Sequence, residues 1–228
     1  MVILFLALGV FLASSRETLR RQMKDAEIAD QQKQSELELL RSQLSPHFLF
    51  NTLNNLYGLS ITQPEKMPKL IVKLSDLLRY SVYNTKKRFV PLNEELAYIF
   101  TYIDLEKVRI GDRLLLNLDI EQSIDNTICI CPMMLIVFVE NAFKHSKNSY
   151  AEKIKVDIHL RVTGGIIAFS ISNSCGHEEI LNKHLDENAG VGLANTARRL
   201  DLLYPGEYEL EHFRKDNMYH LSLQIKSK

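Results

Sequence analysis

The chain has 228 residues, 46% of them apolar and 25% charged, which is enough to bury a sizeable core in one or two domains. Lysine plus arginine equals aspartate plus glutamate at 28 each, which excludes the global basic surplus of a nucleic-acid-binding chain. Three cysteines, Cys129, Cys131 and Cys175, match neither a metal-ligand spacing nor a disulfide framework, and so sparse a count suits a reducing cytoplasm.

Residues 1–13, MVILFLALGVFLA, are almost wholly apolar. A full span needs ~20 such residues, and the run lacks the positive start of a signal peptide. Arg16, Arg20, Arg21 and Lys24 follow it directly and place that side in the cytoplasm. The reading is the inner end of a transmembrane helix over residues 1–15 whose start is missing, in a fragment of a longer membrane protein. A long helix then follows over residues 16–40. Leu19, Met23, Ala26, Leu37, Leu40 and Leu44 recur at steps of four and three, with Asp30 and Lys33 at the intervening seam positions. This is the pattern of a parallel coiled coil with a polar interruption, suited to passing a signal along the helix. Pro46 removes one backbone hydrogen bond and favours a kink beside His47.

The segment from Leu44 to Asn55 reads LSPHFLFNTLNN. On a helix His47 and Asn51 share a face, while Phe48 and Leu49 point elsewhere and pack. A solvent-facing imidazole on a rigid helix is a nucleophile when one ring nitrogen is free. Taken alone, the segment is better explained by a surface histidine after a Ser45 cap and a first-position Pro46.

After Gln63-Pro64 a second helix carries Leu70, Leu74, Leu77, Leu78 and Tyr80 on its apolar face. It is expected to fold back on the first helix, so residues 41–90 form a dimerisation hairpin and two hairpins form a four-helix bundle in a dimer. Lys86-Lys87-Arg88 reads as a solvated helix end. Val90-Pro91-Leu92 is a break. A third helix over 93–110 has Asn93 as cap and Leu96, Ile99, Ile103 and Leu105 as its apolar set.

From about residue 113 the period changes. Leu114–Ile120 reads as a strand, and residues 153–162 alternate cleanly, with Ile154, Val156, Ile158, Leu160 and Val162 on one face. Gly164-Gly165 turns the chain into Ile166–Asn173. Two more strands fit Tyr208–Phe213 and Met218–Ile225, with Lys215-Asp216-Asn217 in the turn. Helices fit 133–146 and 193–203. The fold class is α+β, with residues 91–228 forming a linker helix and a two-layer α/β sandwich.

Three pieces of the sandwich can carry chemistry. In Glu140-Asn141-Ala142-Phe143-Lys144-His145, residues Asn141, Lys144 and His145 share one helix face, with Glu140 roughly 100° away. An amide oxygen, an ammonium and an imidazole suit a magnesium–phosphate pair, although a plain polar helix end has the same composition. Gly190-Val191-Gly192-Leu193-Ala194-Asn195 reads as a glycine turn opening a helix, where backbone N–H groups approach phosphates. Asn173, at the end of its strand, offers an acceptor that could read an adenine amino group.

In this order the segments resemble the LytS-type sensor histidine kinases, over about residues 35–225. The phospho-acceptor segment is Pro46-His47-Phe48-Leu49-Phe50-Asn51, and the N box is Glu140-Asn141-Ala142-Phe143-Lys144-His145. The distal glycine box is Gly190-Val191-Gly192-Leu193-Ala194-Asn195, followed by Arg199-Leu200 and Leu203-Tyr204. Pro91-Leu92 and Glu94-Glu95-Leu96 match the linker. The resemblance implies a GHKL (Bergerat-type) domain that binds ATP and magnesium. Asn141 would coordinate the magnesium, Lys144 and His145 would meet phosphates, and Asn173 would read the adenine. Gly190, Gly192 and Leu193 would hold the polyphosphate beneath a short lid over 176–189. His47 would attack the γ-phosphorus, and the phosphate would pass to an aspartate of a response regulator, commonly of the LytTR type. The resemblance further implies a homodimer at the cytoplasmic (inner) membrane, with residues from about 16 onward in the cytoplasm and no direct nucleic-acid contact.

Some positions depart from the wider kinase pattern. Phe48 stands where many histidine kinases have an acid, so another group must take the proton, and Glu140 is the candidate. Asn51 is a candidate for orienting water in dephosphorylation, with a packing amide as the equal alternative. Asn173 replaces the usual adenine-reading aspartate and keeps one acceptor oxygen without the charge. Cys175 stands where a glycine is frequent, ahead of Gly176. The alternative is a nucleotide-binding scaffold without turnover, or another GHKL ATPase. An anti-sigma type serine kinase is disfavoured by His47 in its context.

Overall fold

The computed structural model describes residues 46–147, 153–175 and 186–228, together with positions 16, 20 and 22–24. The transmembrane segment expected over 1–15, most of the expected signal helix, the expected kink before Pro46 and most of the expected lid lie outside the described residues. Among the described residues no helix is long and apolar enough to cross a membrane. Pro46–Lys228 is a compact unit.

Helix α1 spans Pro46–Thr62. Proline suits its first position, because the ring presets φ and the missing N–H would have no helical partner. A 3-10 turn over Pro64–Lys66 leads into α2, Met67–Tyr83. Leu70, Leu74 and Leu77 of α2 are buried. Leu78, expected on the same face, is 38% exposed. It lies about 40° round from Leu74 and falls at the edge of a narrow contact.

Helix α3 spans Leu92–Ile110 and starts one residue earlier than expected. The Leu92 N–H donates to the Ile128 carbonyl at 2.8 Å, and Pro91 takes the cap position. Asn93 is therefore inside the helix and does not cap it. Its Nδ2 donates to the Ile124 carbonyl at 3.0 Å and to Asn126 Oδ1 at 2.9 Å. A two-residue pairing of β1 (Val90–Pro91) with β3 (Cys129–Ile130) ties the start of α3 to the chain ahead of the next helix.

The main sheet has the order β2-β4-β5-β7-β6. Strand β2 (Leu114–Ile120) runs parallel to β4 (Ile154–Thr163). Strands β5 (Ile166–Ser174), β7 (Met218–Lys226) and β6 (Tyr208–Lys215) continue antiparallel. The β4–β5 turn uses Gly164 and Gly165 at φ 59° and 78°. Asp216 and Asn217, at φ 52° and 58°, make the β6–β7 turn, so β6 runs on to Lys215. Both turns have the two positive φ values that match the twist of hairpin strands.

Alternation turns Ile154, Val156, Ile158 and Leu160 of β4 and Ile167, Phe169 and Ile171 of β5 into the core. Helices α4 (Ile136–Lys147) and α5 (Asp186–Leu203) supply the second layer. Phe138 and Phe143 of α4 and Leu200 and Leu203 of α5 are buried there, with the Phe138 and Phe169 rings 6.2 Å apart. The opposite face is polar, with Lys155, His159 and Arg161 exposed. This is the expected two-layer α/β arrangement.

The chain between β3 and α4 is buried from Ile130 to Val139. Buried backbone must find partners, and here they come from far along the chain. Cys131 N–H donates to Tyr204 Oη at 2.8 Å. The Arg199 guanidinium, 1% exposed, donates to the Pro132 carbonyl at 2.7 Å and the Met133 carbonyl at 3.2 Å. Glu95 of α3 accepts from the N–H of Met133 at 2.8 Å and of Leu135 at 3.1 Å. Met133 sits at φ 58°, a left-handed conformation that delays the start of α4 to Ile136, three residues later than expected. Replacing Arg199 by methionine keeps most of the volume and orphans both carbonyls. Urea unfolding of Arg199→Met is expected to show a loss of about 3 kcal/mol.

Candidate functional site

Helix α4 presents its chemistry by rotation. Phe138, Val139, Ala142 and Phe143 are buried. Asn141, Lys144 and His145 follow one another on another face, with Lys144 exposed and Asn141 and His145 half-buried. The Glu140 carboxyl turns towards α3. Burial and the nearby Glu106 carboxylate push it up to about 7, and its Oε1 is buried without a hydrogen-bond partner. The Tyr102 ring of α3 meets Phe143 edge-on at 5.9 Å. His145 is held below the usual imidazole range by burial, with Lys144 and Arg214 adding their positive charge.

The inward series of β5 ends in a polar residue. Ile167, Phe169 and Ile171 are followed by Asn173, which is 1% exposed. Its Nδ2 donates to the Ser174 carbonyl at 3.0 Å, which fixes the amide orientation. Its Oδ1 is buried and without a partner. A buried acceptor left unpaired is costly, and a ligand amine would satisfy it. The exocyclic amine of adenine has the right chemistry. In register, Asn173 lies between Val156 and Tyr219, and Arg214 lies beyond Tyr219. Helix α4 packs on β5 and also touches α5, so the fold gathers the N-box helix, Asn173 and the glycine-box helix.

The glycine box differs from its sequence reading. Helix α5 begins at Asp186, seven residues before the expected start. Gly190 and Gly192 therefore lie within the helix and do not form a turn that opens it. Their N–H groups fall past the first turn, where helical bonding occupies them. Asp186 and Glu187 favour this earlier start, because acidic residues complement the positive end of a helix. Leu193 is half-buried and Thr196 is buried.

His47 and Asn51 lie in α1, which packs on α2, and their side chains lie outside the described residues. Sequence reasoning missed the roles of Glu95, Glu106, Tyr80 and Arg199. Glu95 and Glu106 did leave a signal. They fall on the apolar stripe Leu92, Leu96, Ile99, Ile103 of α3, and both are buried. A carboxylate at a core position implies buried donors. Tyr80 Oη donates to Glu95 Oε2 at 2.7 Å, and Tyr102 Oη donates to Glu106 Oε1 at 3.1 Å. Arg109 completes the second set as the ion partner of Glu106.

A family model described as histidine kinase matches residues 35–114. The sensor protein LytS of Staphylococcus saprophyticus is 30% identical over 212 residues, covering 90% of this chain and 35% of that protein. The sensor protein kinase HptS of Staphylococcus aureus is 27% identical over 214 residues, covering 91% of this chain and 39% of that one. The chain thus spans little more than a third of the length of these curated relatives. A solved structure of a bacterial phosphotransferase shares the fold at a TM-score of 0.50 and 9% identity, covering 84% of this chain and 95% of that one. His47 falls inside the matched family model, nine-tenths of the chain aligns with a sensor protein, and the later boxes keep their order, so the chain is similar along most of its length to the LytS-type sensor histidine kinases.

Proposed function

We propose that this chain is the kinase part of a two-component sensor, which phosphorylates His47 from magnesium-ATP and passes the phosphate to an aspartate of a response regulator. The observation that carries this is Asn173. It is a buried, unpaired acceptor at the end of an apolar strand, against the helix that bears Asn141, Lys144 and His145. That constellation fits a GHKL-type nucleotide site.

The roles follow from chemistry. Asn173 Oδ1 accepts from the adenine amine. Lys144 and His145 offer donors to phosphate oxygens. Asn141 Oδ1 is a hard oxygen suited to magnesium, which when bound neutralises charge on the phosphates. Gly190, Gly192 and Leu193 lie on the helix that would border the phosphates. A ring nitrogen of His47 attacks the γ-phosphorus. An N–P bond forms, the bond to the bridging oxygen breaks, and ADP leaves. The Glu140 carboxyl, the sequence candidate for the ring proton, is buried against α3 beside Glu106 and away from the face of Asn141 and Lys144, so it is not assigned that proton. A regulator aspartate then takes the phosphoryl group and frees the imidazole. Asn51, four residues after His47, is the candidate to orient water on the phosphorylated regulator. The regulator is expected to be of the LytTR type.

The hairpin supports a homodimer. Leu53, Tyr57 and Ile61 of α1 and Ile71, Val72, Val82 and Tyr83 of α2 are exposed apolar residues. A second hairpin would cover them in a four-helix bundle. Attachment to the inner membrane through residues 1–15 is supported by the apolar run and the basic residues after it.

Incubation with magnesium and γ-labelled ATP tests the reading. Acid-labile, alkali-stable label is expected on the chain and should fall at least about 100-fold in His47→Gln, the loss of the attacking group. Nucleotide binding without label would instead favour the scaffold. Asn173→Leu removes the buried acceptor, so calorimetry is expected to show magnesium-ATP bound about tenfold more weakly. Unchanged affinity would remove Asn173 from the adenine site.

A further inference from the structure

Glu95 is fully buried, and three elements meet at its carboxylate. Oε2 accepts from Tyr80 Oη at 2.7 Å and from Met133 N–H at 2.8 Å, and Oε1 accepts from Leu135 N–H at 3.1 Å. Tyr80 belongs to α2, the helix paired with the one that carries His47. Met133 and Leu135 lead directly into α4, which carries Asn141. The Tyr80 ring also lies against Tyr98 of α3, with centroids 4.8 Å apart.

Two of these donors are backbone groups fixed beside α4, and the third comes from the hairpin. Burial pushes the Glu95 carboxyl up, while Tyr80 and the N–H groups of Met133, Leu135 and Ile136 pull it down. Burial and the Glu95 charge raise the Tyr80 phenol, so it keeps its proton and acts as the donor. Other α2–α3 contacts, Lys73 with Asp104 and Asn84 with Glu94, end on α3 carboxylates that are only partly buried. The acceptor of Tyr80 also holds the start of α4. An open groove of about 580 Å³ lies beside this contact, lined by Leu77, Tyr80, Tyr83, Glu94, Tyr98 and Thr101.

We propose that Tyr80 is a positioning residue for the nucleotide site: through Glu95 it couples the seating of the phosphotransfer hairpin on α3 to the placement of α4 and of Asn141. The coupling to nucleotide rests on the ATP reading above. A buried carboxylate that loses a donor redistributes its remaining bonds, and here those bonds are to the backbone that starts α4. A shift of the hairpin thereby reaches the magnesium ligand without direct contact between α1 and the nucleotide.

The test uses the whole 228-residue chain as Tyr80→Phe, Glu95→Gln and the double variant. Tyr80→Phe keeps the ring against Tyr98 and removes only the hydroxyl. Amide hydrogen exchange at Met133, Leu135 and Ile136 is expected to quicken about tenfold, the loss of one hydrogen bond to a charged group, with the amides of Phe169 and Ile171 unchanged. Binding of a non-hydrolysable ATP analogue with magnesium should weaken about fivefold to tenfold, and the double variant should bind no worse than Glu95→Gln alone. Unchanged exchange at 133–136, equal acceleration across the sheet, or additive effects in the double variant would overturn the proposal. Failure of the unaltered chain to bind nucleotide would overturn the ATP reading, while the exchange pattern would still decide whether Tyr80 holds the start of α4.

Discussion

The structure depends on how the buried chain from Cys131 to Ile136 satisfies its own backbone. This stretch carries α4 into place, and its residues from Cys131 to Leu135 lie in no helix or strand. Two opposite charges meet its backbone from either side. Glu95 collects the N–H groups of Met133 and Leu135, Arg199 collects the carbonyls of Pro132 and Met133, and the Tyr204 hydroxyl accepts from the Cys131 amide. Each charge alone would be expensive to bury. Spread over backbone dipoles of matching sign, both are solvated by the protein. Their number also holds Met133 in its left-handed conformation, which a freer loop would give up. The start of α4 is thereby fixed, and with it the rotation of every residue on that helix.

The sheet supplies the complementary constraint. Its period-2 pattern sends Ile167, Phe169 and Ile171 inward and carries Asn173 in behind them. An amide buried by register cannot turn to water for its missing bond. It either stays unsatisfied or waits for a donor from a ligand. Tyr219 and Arg214 follow in the same row, so the row passes from amide to aromatic to cationic across β5, β7 and β6. This gradient suits a molecule with a flat base at one end and anionic groups at the other.

Much of this was legible because it is local. The Gly164-Gly165 hairpin, the alternation of β4 and the buried positions of α3 each need only a window of about ten residues. The face shared by Asn141, Lys144 and His145 follows from helical spacing alone. Asn93 misled because its side chain resembles a cap, while the Leu92 amide finds its partner 36 residues later at Ile128, which a local window cannot see. Gly190 and Gly192 misled because glycine is read as a turn, whereas the acidic residues ahead of them extend the helix. Glu95 and Arg199 stand in the sequence only as parts of longer patterns. Their partners lie 38 to 40 and 66 to 67 residues away, and spacing says nothing about pairing at that range.

The rotation of α4 matters because the helix keeps charges of opposite sign apart. Glu140 faces α3, near Glu106, whose charge is met by Arg109 and the Tyr102 hydroxyl. Lys144 and His145 lie near Arg214, so the other side is cationic. Adjacent positions are about 100° apart, so a slip of one residue would bring Glu140 to the place of Asn141. A carboxylate there would repel phosphates that the cationic side attracts. Packing alone resists such a slip weakly at a helix end, where side chains can re-sort. Directed bonds to the amides of Met133 and Leu135 resist it more strongly, because a carboxylate accepts only from donors in reach. The buried carboxylate of Glu95 thus sets which sign of charge α4 presents, although it touches none of the residues assigned to the nucleotide.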